Sequence, residues 1–106
     1  MLEYKGYKGR VEFDPEARIF HGEVLNTRDV ITFQGTSVAE LELALRESVD
    51  DYLEYCSRRG ELPDKPFTGR LMVRLPPELH RELYVEARGE GKSLNQLIAE
   101  RLQRAP

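Results

Sequence analysis

Apolar and polar positions alternate along the first third of the chain. Val11 and Phe13 lead into Asp14-Pro15-Glu16-Ala17, and Ile19 and Phe20 follow it. Asp-Pro opens turns because proline supplies a fixed φ. The pattern predicts a hairpin, with strands near Tyr7–Phe13 and Ile19–Leu25. A second polar turn, Asn26-Thr27-Arg28-Asp29, leads to a third strand at Val30-Ile31-Thr32-Phe33, which Gly35 ends.

The period then changes. Val38, Leu41, Leu45, Val49, Tyr52 and Cys56 are spaced by three or four, one face of a helix running to about Arg59. Ser37 and Glu40 form a capping box at its start, and Gly60 is a stop. Glu61-Leu62-Pro63-Asp64-Lys65-Pro66, with two prolines and three charges, reads as the core of a linker over residues 61–69. Beyond it, Leu71, Val73 and Leu75 alternate with Arg70, Met72 and Arg74 in a short strand. Pro76-Pro77 closes the strand and opens a helix with Leu79, Leu83 and Ala87 on one face. Gly89 and Gly91 break that helix. Ser93, with Gln96 three residues on, caps a second one that buries Leu94, Leu97, Ile98 and Leu102.

The expected fold is α+β: a small antiparallel three-stranded sheet with one long helix (1–60), the linker, and a strand-helix-helix module (70–106). That module has one strand and no second strand to pair with. An unpaired strand exposes a row of backbone donors and acceptors, and its apolar face is too small for a core. The same strand from a second copy, antiparallel about a two-fold axis, satisfies both needs. Leu71, Val73 and Leu75 then form the dimer core. Arg70, Met72 and Arg74 point outward on a two-stranded ribbon that fits the major groove of B-DNA. The free N–H groups at the start of the second helix, with Lys92, Ser93 and Asn95, suit a backbone phosphate.

Charge divides along the same line. Residues 1–68 carry 9 Lys/Arg against 14 Asp/Glu, a net -5, whereas residues 69–106 carry 7 against 5, a net +2. A basic end suits nucleic acid and an acidic start suits a basic protein, and by charge alone both also fit an ordinary mixed solvated surface. For Arg70 and Arg74 the competing reading is a solvated strand face, and for Ser93 an ordinary N-cap. The strand's need for a partner favours the DNA reading.

Catalytic and metal chemistry find little support. Asp14 lies in a turn, Glu23 on a strand, and Asp50 and Asp51 are adjacent on a helix, so these carboxylates do not converge on a metal. His21, His80 and Cys56 make no metal spacing. No catalytic residue, metal or cofactor is expected. Tyr4 and Tyr7 beside Lys5, Lys8 and Arg10 read as a strand edge rather than an RNA platform. Met1 to Arg10 holds no apolar run of a signal peptide, no stretch approaches the ~20 apolar residues of a membrane span, and one cysteine forms no internal disulfide. The expected setting is the cytoplasm, with no membrane partner.

Arg70 to Leu75, Pro-Pro-Glu-Leu and Gly-Lys-Ser-Leu-Asn, in this order, resemble the ribbon-helix-helix family over residues 70–103. Met72 departs from the polar residues common at that base-facing position. The whole chain, with Tyr7-Lys8-Gly9, Phe20-His21-Gly22 and Lys65-Pro66-Phe67-Thr68-Gly69-Arg70, resembles a HicB-type antitoxin. That resemblance implies a truncated ribonuclease H-like N-terminal domain that binds and inhibits a HicA-type ribonuclease toxin. It also implies a C-terminal module that represses its own operon. The expected partners are operator DNA, the toxin and a second copy of the chain, with assembly beyond a dimer left open. The alternative is a stand-alone regulator whose N-terminal domain oligomerises or binds another ligand.

Overall fold

The computed structural model describes residues 1–105; Pro106, the last residue of the expected DNA-binding module, lies outside them. The chain divides into two compact units, residues 1–68 and the residues from Gly69 onward.

The first unit is an antiparallel sheet in the order β1(Leu2–Tyr4), β2(Tyr7–Asp14), β3(Ile19–Val24), β4(Thr32–Gly35), followed by α1(Val38–Arg59). The sheet has four strands, not the expected three. The extra strand, Leu2–Tyr4, is joined to β2 by a two-residue turn with Lys5 and Gly6 both at positive φ (51° and 82°). That geometry matches the right-handed twist of a hairpin. Tyr4 and Lys5 both donate to the Asp50 carboxylate on α1, which ties this edge to the helix. Asp50 is therefore a structural clasp.

At the β2–β3 turn, Asp14 Oδ1 accepts from the amides of Glu16 and Ala17, the turn chemistry that the Asp-Pro pair announces. The last strand begins two residues later than the β-branched run suggests, at Thr32 rather than Val30. Val30 is exposed, and the Ile31 carbonyl is the first group of this segment to bond β3, at Val24.

α1 spans the expected range. Ser37 Oγ accepts from the Glu40 amide, and Gly60 takes the left-handed conformation at the far end. Glu40 in turn accepts from the amide and hydroxyl of Thr36, one residue earlier than the capping-box reading places it. Leu41, Leu45, Val49, Tyr52 and Cys56 are buried, while Val38, the first of the periodic series, is exposed. The helix closes over one face of the sheet, and Tyr7, Val24, Phe33, Leu41, Leu45 and Val49 form the core.

Phe33 is the centre of that core, and two glycines make room for it. Gly22 pairs directly with Phe33 across β3 and β4. A Cβ on Gly22 would overlap three carbons of the Phe33 ring, and one on Gly9 would lie 2.7 Å from Phe33 Cζ. Gly22→Ala is expected to displace the ring and destabilise this unit at the upper end of the ~1–3 kcal/mol typical of overpacking. Its melting midpoint should fall by about 10–20 °C in a unit of this size. Adding Phe33→Leu should recover part of the loss. A calorimetric midpoint for Gly22→Ala equal to wild type would contradict the packing.

The first residues of the expected linker are held to this unit. Arg28 donates its amide to the Pro63 carbonyl at 2.8 Å and Lys65 donates to the Asn26 carbonyl at 3.1 Å, on either side of a bridge between Thr27 and Asp64. The Tyr7 hydroxyl donates to Asp64. Burial, then Asp64, push the Tyr7 phenol up to about 12, so it remains a donor at neutral pH.

The second unit contains α2(Pro77–Gly89) and α3(Leu94–Arg104). The expected strand over 70–75 is not formed in the single chain. A strand exists through its ladder, and a second copy is the partner that the sequence reading invokes. No helix among the described residues is long and apolar enough to cross a membrane.

Candidate nucleic-acid interface

Two helices and the segment before them make up the site. Pro77 stands in the first turn of α2, where its missing N–H costs nothing. At the other end of α2, Gly91 takes a φ of 71° and donates its amide to the Arg88 carbonyl, while Lys92 donates its amide to Ala87 at 2.9 Å. This is a Schellman closure. It fixes the Lys92 backbone immediately before α3. Ser93 Oγ then accepts from the Gln96 amide at 3.1 Å and caps α3. The amides of Leu94 and Asn95 are left at the open, electropositive end of that helix.

An ion pair between Glu86 and Arg101 joins α2 to α3, with Ala87 and Leu97 buried at their contact. The remaining apolar surface is largely uncovered. Leu71 is 78% exposed, Val73 60% and Leu102 69%, while Leu75, Leu94 and Ile98 are half-buried. These side chains line a groove of about 560 Å³, with His80 and Asn95 also on its walls. So the three residues assigned to the dimer core all border one open apolar trough.

The residues assigned to the DNA groove, Arg70, Met72 and Arg74, are all exposed, Met72 by 90%. The three assigned to phosphate lie together at the start of α3, but Lys92 is engaged. Its ammonium donates to Glu100 at 2.6 Å and lies 4.0 Å from Glu90. The hydrogen bond to Glu100 raises the Lys92 ammonium above its ordinary value, and the same bond lowers the Glu100 carboxyl. Sequence reasoning missed Glu100. Its signal was weak, since it stands eight residues from Lys92 and outside any i,i+4 pairing with it.

Among the described residues, no three His, Cys, Asp or Glu side chains are placed to hold a metal ion. His21 lies 3.8 Å from Asp14 on an exposed strand face, and Cys56 is buried in α1.

Residues 52–102 match the HicB family. The match runs from the last two turns of α1 through the connection and α2 into α3, and so takes in the candidate interface. It supports a HicB-type protein. Neither the curated proteins nor the solved structures contain a match to this chain.

Proposed function

We propose that the protein is the antitoxin of a toxin–antitoxin pair. In this reading it represses transcription as a dimeric ribbon-helix-helix protein and holds a small basic ribonuclease of HicA type through residues 1–68. The observation that carries the DNA half is the open apolar trough beside exposed Arg70, Met72 and Arg74. A second copy of residues 70–75 supplies the missing ladder, covers Leu71 and Val73, and brings two sets of these side chains onto one ribbon. Such a ribbon enters the major groove. The HicB match over residues 52–102 supports the pairing with a toxin.

The N-terminal unit suits holding a protein better than chemistry. It carries a net charge of -5, and no acidic cluster in it is arranged for a metal ion. The antiparallel β1-β2-β3-β4 sheet followed by α1 supports the truncated ribonuclease H-like reading. A ribonuclease must bind phosphates, so its working surface is basic. An acidic partner gains association rate by steering and blocks substrate by occupying that surface.

Co-expression of the full chain with the product of the neighbouring gene tests this reading. The expected outcome is a stable complex and restored growth of cells carrying the toxin. If this folded chain neither binds the neighbour's product nor restores growth, the antitoxin reading fails. DNA binding without any toxin partner would instead favour a stand-alone regulator, which the basic second unit accommodates equally well.

A further inference from the structure

Lys92 directly precedes Ser93, the N-cap of α3, yet its charge is spoken for. Glu100 stands six residues into the helix beyond Leu94 and receives the ammonium at 2.6 Å. Glu90 also lies 4.0 Å from the ammonium. The Lys92 backbone is fixed by its hydrogen bond to Ala87, so only the side chain can choose between partners. Six residues rise about 9 Å along a helix, so the carboxylate that holds the ammonium belongs to a residue more than one turn beyond the Leu94 and Asn95 amides. Gln96 Nε2 also approaches Glu100 Oε1, at 3.5 Å. Glu100 is thus held where Lys92 reaches it.

We infer that Glu100 is a built-in competitor of the DNA phosphate for Lys92: the ammonium leaves this carboxylate when a backbone phosphate arrives at the start of α3. The inference rests on the DNA-binding reading above. It makes Glu100 a positioning residue that weakens affinity while touching no DNA. Both side chains are about 30% exposed, so the exchange involves a partly solvated pair of modest strength. Its effect lies in phosphate affinity for any sequence, since phosphate contacts carry no base information.

The test is a titration of the full chain against a mixed-sequence duplex and against the duplex upstream of its own gene. Wild type, Glu100→Gln, Lys92→Met and the double variant are compared over a range of salt concentrations. Glu100→Gln should bind both duplexes more tightly, by about twofold to fivefold per protomer, and a dimer carries the pair twice. Its affinity should also fall more steeply with salt. In the Lys92→Met background the same substitution should give no gain. That lack of additivity separates competition for Lys92 from the general effect of deleting a negative charge. Circular dichroism confirms that each variant retains α2 and α3. If folded Glu100→Gln binds no more tightly than wild type, or gains equally without Lys92, the inference is overturned while the DNA reading stands. If wild type and Glu100→Gln both fail to bind either duplex, the DNA reading fails and the inference with it.

Discussion

Val73→Asp is expected to abolish assembly, although Val73 is 60% exposed in the single chain. In the proposed dimer this position lies under the helices of both copies, close to its two-fold mate. The substitution would bury two carboxylates without partners, at a cost of several kcal/mol. Sedimentation velocity should show the dimerisation constant weakened by about a hundredfold or more, since each ~1.4 kcal/mol is a factor of ten. The helical signal of the second unit should fall with it. Val85 supplies the control. It is also 60% exposed, but it sits on α2 among Glu78, Arg81, Glu82 and Glu86, away from the trough. Val85→Asp should leave assembly intact. If Val73→Asp is as silent as Val85→Asp, the trough is not the dimer interface.

Arg74→Ala is expected to give the largest loss of DNA affinity. Arg74 is exposed on the segment proposed to form the ribbon, and its guanidinium suits guanine O6 and N7 or a phosphate. Each lost base contact costs about 1–3 kcal/mol, and a symmetric dimer loses two. Affinity for the duplex upstream of the gene should fall by roughly thirtyfold or more, with relaxed preference at the contacted positions. Folding and assembly should be unchanged, because in the proposed ribbon the side chain faces away from the dimer core. Met72→Ala should cost much less, since Met offers only apolar contact. Fluorescence anisotropy reads both. Binding by Arg74→Ala equal to wild type would remove the ribbon assignment.

Legibility followed the physics of each element. α1 was readable in its span because a stripe of apolar side chains, a serine cap and a glycine stop act locally and agree, although Val38 at its start is exposed and the Glu40 carboxylate bonds Thr36 instead of Ser37. The β2–β3 hairpin was readable because Asp14-Pro15 dictates its turn. β1 was not, since three residues make too short a pattern, and besides its ladder with β2 it is held by Leu2 and Tyr4 against the core and by Asp50, far along the chain. The docking of residues 61–65 was hidden because Pro63 and Asp64 are turn-like by composition. What holds them is the distant Asn26–Arg28 turn and the Tyr7 hydroxyl. At the proposed interface, the alternation of Arg70 to Leu75 predicts which side chains would share a face once a ladder forms, and the single chain forms none. It cannot reveal that Lys92 prefers Glu100, because that choice depends on how a lysine stem lies against α3. The strand itself is legible as a need for a partner, which one chain alone cannot meet.

The central claim is that two copies of this chain build one ribbon that enters DNA. The most direct measurement is the mass of the complex between the full chain and the duplex upstream of its gene, by sedimentation equilibrium. The account predicts an even number of chains on each duplex, with no complex containing a single chain at any protein concentration. A stable complex of one chain with one duplex would contradict it.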